Sequence, residues 1–166
     1  IGSNDGTLLS FFQKAGQTVL GIDPAKGISQ EATKRGIETW CDFFTPKLNT
    51  KIKNERGSAH VITANNVFAH ADDLVGIVHG IRDLLAPEGV FVFEVSYLVD
   101  VFENTLFDTI YHEHVAYHSV KPLQQFFADN GMELISAERI DTHGGSLRGV
   151  AQLKSGPHSK QPSVDK

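Results

Sequence analysis

The sequence predicts an α/β domain built on a doubly wound, mostly parallel sheet, and three observations predict it. Short apolar runs alternate with amphipathic stretches of helical period along the first 95 residues. Most of those runs are apolar without an in-out alternation, as strands covered on both faces are. A glycine-rich loop opens the chain, and an acid follows the next strand, which is the arrangement of a nucleoside-binding first turn. With 166 residues, 40% hydrophobic and 21% charged, the chain has the length and composition of one domain with a real core.

The elements follow in order. Gly2-Ser-Asn-Asp-Gly6 is a tight turn, after which Leu8, Leu9, Phe11, Phe12 and Ala15 fall at helical spacing. Residues 18–22 read as a short buried strand ending at Asp23-Pro24, residues 28–35 as a helix stopped by Gly36, and residues 37–40 as the next strand. A polar helix or loop covers residues 47–56, a strand residues 59–63, and a helix residues 72–85. Residues 87–89 (Pro-Glu-Gly) read as a turn, and residues 90–95 as a strand that is apolar except for Glu94.

The pattern then changes. Residues 97–119 are irregular, polar and aromatic; residues 120–130 form a helix stopped by Gly131; residues 132–140 and 147–153 are two strands close in sequence, expected as an antiparallel pair at a sheet edge. The domain is therefore expected to span residues 1–154, and residues 155–166, rich in Gly, Pro, Ser and Lys, to be a linker or frayed tail.

Composition narrows the function classes. The net charge is −5, and the 15 Lys and Arg form no basic run, so no nucleic-acid partner is expected. No apolar stretch reaches the roughly 18 residues of a membrane helix, so a soluble protein without a membrane partner is expected. Cys41 is the single cysteine, which precludes a disulfide or thiolate zinc cluster within the chain and fits a reducing cytoplasm. The chain opens at Ile1 directly before the loop and reads as a piece of a longer protein.

The loop lacks the G-x-G-x-x-G spacing of a dinucleotide site. Gly2 and Gly6 stand with Ser3, Asn4 and Asp5 between them, and the added carboxylate would repel a pyrophosphate. Asp23 stands where an acid accepts hydrogen bonds from ribose hydroxyls. S-adenosylmethionine meets both conditions, since it carries a ribose but a sulfonium and an amino-acid end in place of phosphates. The competing reading is a plain turn and helix cap. Asp42 and Phe43 could add an acid and an aromatic face beside the adenine, although taken alone Phe43 and Phe44 suit a core. Asn66 and His70 lie just beyond a strand's carboxyl end, on the rim where such folds bind ligands.

Tyr111-His-Glu-His-Val-Ala-Tyr-His118 places six hydrogen-bonding side chains in eight positions, a density no core period explains. His112 and His114 lack zincin spacing, so no metal site is expected; a surface network is the plainer alternative. A histidine here, oriented by Glu113 or Tyr111, could remove a carbon-bound proton beside a carbonyl, and His114 is the preferred base. His143-Gly-Gly-Ser146 suits an ordinary turn or a substrate contact, and Arg148 could meet a ligand phosphate.

In order along the chain, Ile1-Gly-Ser-Asn-Asp-Gly-Thr-Leu-Leu9, Asn66-Val-Phe-Ala-His70, Phe107-Asp-Thr-Ile-Tyr-His-Glu-His114 and His143-Gly-Gly-Ser-Leu-Arg148 resemble the nucleotide-sugar C-methyltransferases of deoxysugar biosynthesis. The resemblance implies a class I methyltransferase fold with a seven-stranded sheet and an antiparallel edge strand. It implies S-adenosylmethionine on residues 2–6, Asp23 and Pro24, and a 4-keto nucleotide-sugar held near His143 and Arg148. His70, Tyr111, Glu113 and His114 would surround the sugar. Members of that family also carry an N-terminal zinc lobe and a C-terminal lobe, neither within these residues, and most of the first strand and the acid before its isoleucine are absent as well.

Two rival functions stand beside C-methylation. O- or N-methyl transfer could use the same donor site with another acceptor, and a carbon-bound methyl in the product separates them. A noncatalytic S-adenosylmethionine-binding module would bind the donor without transfer.

Overall fold

The computed structural model describes residues 1–165. Its helices are α1 (Thr7–Lys14), α2 (Lys26–Lys34), α3 (Pro46–Arg56), α4 (Leu74–Leu84), α5 (Leu98–Glu103) and α6 (Val120–Asp129), of which α5 lies in the stretch expected to be irregular. Local chemistry sets the ambiguous boundaries. Thr45 accepts from the Leu48 amide with Pro46 at the first helical position, so the polar stretch becomes α3. Asp73 caps α4 through the Gly76 amide at 2.8 Å, which starts that helix at Leu74.

The strands form two sheets among the described residues. β1 (Gly21–Ile22) and β2 (Thr39–Trp40) make a short parallel pair. β3 (Ala59–Asn65), β4 (Leu85–Ser96), β5 (Met132–Ile140) and β6 (Ser146–Leu153) make a second sheet in the order β3-β4-β6-β5. The expected turn at residues 87–89 is instead part of a bulge in β4, since the ladder on β3 passes from Ala59 opposite Leu85 to Val61 opposite Val90.

Two expectations about the sheet are corrected. The described residues hold six strands in two sheets rather than one sheet of seven. A slot separates the sheets, a cavity of about 530 Å³ lined by Leu9, Phe12, Leu20, Ile52, Val61 and Leu84 among others. The first residues bridge it by hydrogen bonds, through the Ser3 amide to the Ile22 carbonyl at 3.1 Å and the Ile1 amino group to the Thr63 carbonyl at 2.7 Å. Residues 18–20 face the slot and take no ladder partner, so the expected strand shrinks to Gly21–Ile22. The antiparallel strand is β6, one place in from the edge that β5 forms, because β6 pairs with both β4 and β5.

Residues 155–165 also depart from the frayed tail that their composition suggested. The Gln161 amide donates to the Ile135 carbonyl at 2.7 Å, and Val164 enters the core at 2% exposure. A single apolar anchor near the end of a polar segment is enough to dock it. Lys166 lies outside the described residues.

The core centres on Phe68, Phe91, Phe93 and Phe127, all fully buried, with ring centroids 5.4–6.4 Å apart. Phe68 belongs to the 3₁₀ turn Phe68–His70. Burial of Phe68 therefore fixes the backbone that carries His70 to the rim.

Candidate active site

The glycine loop is held by its own backbone. Gly2 has φ +62°, and a Cβ there would stand 2.5 Å from the Val67 side chain, so only glycine lets the loop lie against the segment leading to His70. The buried Asp23 carboxylate accepts the Asn4 amide on one oxygen and the Ala25 amide on the other, each at 2.9 Å. The Ser3 and Gly6 amides bond to the Ile22 and Ser3 carbonyls, and the Asp5 amide bonds to the Asn4 side chain. The Ser3 hydroxyl is buried, unpartnered and turned toward Gly21, so Ser3 serves the loop's packing. Exposed Asp5 pairs with Arg35 at 3.0 Å, and hydrogen bonds from Thr7 with help from Arg35 hold its carboxyl below the usual range.

Further along the rim, exposed Asp42 accepts the Phe43 amide at 2.8 Å. Phe43 is 68% exposed while Phe44 packs inward against Gly80, so the two phenylalanines divide rather than share the core. Pro24 is exposed at the end of β1, its carbonyl 3.5 Å from the Cys41 sulfur. Asn66 sits at φ 54° with its amide on the Glu94 carbonyl at 2.8 Å.

These donors and acceptors fit S-adenosylmethionine better than a phosphate ligand. The amides of residues 3–6 that would cradle a phosphate are all spent within the protein, that of Asn4 on Asp23. Asp23 keeps acceptor capacity for hydroxyls, since an ionised carboxylate has about four lone-pair sites and two are used. Asp42 and the open face of Phe43 suit an adenine.

The 98–118 segment folds back on η1, the Phe68–His70 turn: the Val115 amide donates to the Ala69 carbonyl at 2.9 Å. The rings of His70 and His114 come to 4.8 Å, those of Tyr111 and His114 to 4.4 Å, and those of His114 and Tyr117 to 6.0 Å. His114 Nδ1 lies 2.7 Å from the Thr109 carbonyl and His70 Nδ1 lies 2.9 Å from the Glu113 carbonyl. A carbonyl oxygen can only accept, so both rings carry their proton on Nδ1 when neutral, and both Nε2 atoms present a lone pair.

The expected orienting acid is replaced by backbone. The Glu113 side chain is 61% exposed and approaches only His112, at 3.9 Å, while its carbonyl holds His70. Thr109, which no sequence signal singled out, orients His114 through its carbonyl and also accepts from the Tyr117 hydroxyl at 2.9 Å. A role carried by a main-chain oxygen leaves no mark on residue type.

Glu94 was also missed, although a lone acid inside an apolar strand was its signal. It is buried at the carboxyl end of β4, accepts from the Thr142 hydroxyl at 2.8 Å and pairs with Arg148 at 3.4 Å. Arg148 is thus partly neutralised before any ligand arrives, while His143 is exposed at φ 52° in the adjoining turn. His118 is buried with Nε2 unpartnered, and burial pushes its pKa below the usual 6.5.

A methyltransferase domain model matches residues 1–137. Among characterised proteins, the C-methyltransferase NovU of Streptomyces niveus is 37% identical over 163 residues, covering 98% of this chain and 39% of NovU. The chain thus spans about two fifths of that relative's length. Among solved structures, a SAM-dependent methyltransferase from Anabaena variabilis superposes with a TM-score of 0.71 at 18% identity, over 92% of this chain and 74% of that one. Magnesium protoporphyrin IX methyltransferase from Synechocystis, solved with bound SAH, gives 0.68 at 14% identity, over 93% and 72%. These two likenesses show the fold, an α/β class I methyltransferase architecture. No described helix is long and apolar enough to cross a membrane.

Proposed function

The chain belongs to the methyltransferase domain family, and from that premise we propose that it methylates a carbon beside a ketone in a 4-keto nucleotide-deoxysugar, with S-adenosylmethionine as donor. The observation that carries this reading is the open Nε2 of His114, fixed by the Nδ1 contact with Thr109. A neutral imidazole with its lone pair turned outward is a base, and proton removal from carbon is the step that C-methylation needs and methylation of a ready nucleophile does not. The likeness to a C-methyltransferase supports the same reaction type.

His114 Nε2 takes the proton from the carbon next to the ketone. His70, whose Nε2 is also open, or the Tyr111 hydroxyl faces the ketone oxygen as it gains charge; Tyr111 donates directly, and His70 does so when protonated. S-adenosylmethionine, when bound, supplies an electrophilic methyl, whose transfer to the carbon leaves S-adenosylhomocysteine. Asp23 and Asp42 would hold the ribose and adenine, Phe43 would stack on the base, and Asn66 would stand at the rim of the same site. His143 and Arg148 meet the nucleotide-sugar. The lone exposed Cys41 accords with a cytoplasmic setting.

The test is hydrogen exchange at the acceptor carbon. A deuterated 4-keto nucleotide-sugar incubated with the protein and S-adenosylhomocysteine should lose label to water, and replacing the homocysteine derivative with S-adenosylmethionine should give a carbon-bound methyl. A methyl found only on oxygen or nitrogen, with no label loss, would sink the reading.

A further inference from the structure

We propose that Arg139 is the positioning residue of the 98–118 segment, holding it so that His114 keeps its Nε2 open toward the acceptor; this rests on reading His114 as the base. Within the segment Val101 is buried, but most of the large apolar side chains are not. Phe102 is 85% exposed, Phe107 74%, Ile110 61% and Val115 55%. Its helix α5 has six residues, too few to persist without outside contacts.

Arg139, on the edge strand β5, supplies those contacts. Its Nε donates to Asp100 Oδ1 at 2.7 Å, its Nη2 donates to the same oxygen and, at 2.8 Å, to Glu103, and its guanidinium lies 5.9 Å from the Tyr97 ring centre. Tyr97, Asp100 and Glu103 span the start and the end of α5. The Asp100 side chain is 3% exposed and its Oδ2 has no partner, so its charge is balanced by Arg139. A buried carboxylate deprived of its cation must move to water or take up a proton, and either change shifts α5.

From Asp100 a continuous path of contacts reaches His114. Val101, next to Asp100, accepts the Leu106 amide at 3.0 Å. Leu106 accepts both the amide of Thr109, at 3.3 Å, and its hydroxyl, at 2.8 Å. The Thr109 carbonyl then holds His114 Nδ1. Gly145 lies against Asp100, where φ is +138° and a Cβ would stand 2.4 Å from the Asp100 Cβ and Cγ, so only glycine leaves space there for the buried carboxylate.

The test reads the His114 imidazole directly, by ¹⁵N NMR of the labelled chain. In the wild type at a pH where the ring is neutral, Nδ1 should give a protonated-nitrogen shift and Nε2 a lone-pair shift. Arg139→Met should draw the two shifts together as the Thr109 contact is lost, quicken proteolytic cutting within residues 104–118, and leave the affinity for S-adenosylmethionine within about twofold, because the donor site is not on this path. Arg139→Lys should restore part of the separation. Asp100→Asn, which keeps the fold's charge balance differently, should also narrow it, and decides the matter if Arg139→Met does not fold. An unchanged His114 pattern in folded Arg139→Met or in Asp100→Asn overturns the proposal. If the pattern collapses but no variant or wild-type protein exchanges a carbon-bound deuteron, the positioning role stands and the base assignment falls.

Discussion

The carbonyl oxygen of Thr109 receives both His114 Nδ1, at 2.7 Å, and the Tyr117 hydroxyl, at 2.9 Å. One main-chain atom therefore sets the tautomer of the central histidine and ties it to the far end of the same segment. Removal of either side chain leaves that oxygen in place, so substitutions at His114 and Tyr117 separate chemistry from positioning.

His114→Asn should lower methyl transfer by roughly a hundredfold or more, the usual worth of a positioned general base, while donor affinity stays nearly unchanged. Asparagine keeps polarity but cannot take a proton near neutral pH. Steady-state turnover beside calorimetric binding checks it, and a mutant with wild-type turnover transfers the role to His70 or Tyr111.

Asp23→Ala should weaken S-adenosylmethionine binding by about 1–3 kcal/mol. The loss has two sources, since the same carboxylate that would meet the ribose also holds the Asn4 and Ala25 amides. Asp23→Asn, which keeps one acceptor oxygen, should lose less. Titration calorimetry of both variants gives the ranking, and equal affinity across all three proteins would remove Asp23 from the donor site.

His118 should make stability fall on mild acidification. Burial lowers its folded pKa below the unfolded value of 6.5, so between those two pKa values the unfolded chain binds more protons. Its contribution is complete above pH 6.5, declines as pH falls toward the folded pKa, and is flat below it. Urea unfolding of wild type and His118→Gln at a series of pH values should show a shallower slope for the mutant just below pH 6.5; identical slopes would refute the assignment.

Phe68→Ala should cost about 3–5 kcal/mol, the range for emptying a buried phenylalanine site. Phe68 packs within 5.4–6.4 Å of three other core rings and is two residues from His70. Thermal unfolding measures the first effect; loosening of the His70 contact to the Glu113 carbonyl, seen in the His70 imidazole shifts, measures the second.

Periodicity was enough to read α1, α2, α6 and the apolar runs of β3 and β4; α2, α6 and both runs bury residues as their patterns demand, whereas α1 buries none and leaves Leu8 and Phe11 exposed. The dense polar stretch at residues 111–118 was legible as a candidate site for the opposite reason: nothing in helix or strand packing asks for that many hydrogen-bonding and titratable groups together. The length of β1 was not legible. Residues 18–20 have a strand's composition, but a strand also needs a partner on the side that here faces the slot.

The sequence by itself determined the class of fold, the loop at residues 2–6, the acid Asp23, and the identity of the histidines and tyrosines at the rim, since these follow from residue type and spacing. Only the tertiary structure decided what orients those histidines. Thr109 and Glu113 act through carbonyls, and Arg139 through an aspartate 39 positions away. It also decided that β6 lies inside β5 and that Val164 docks the final segment. Main-chain acceptors and long-range pairs depend on where the chain returns in space, and a pattern of neighbours along the chain carries no record of that.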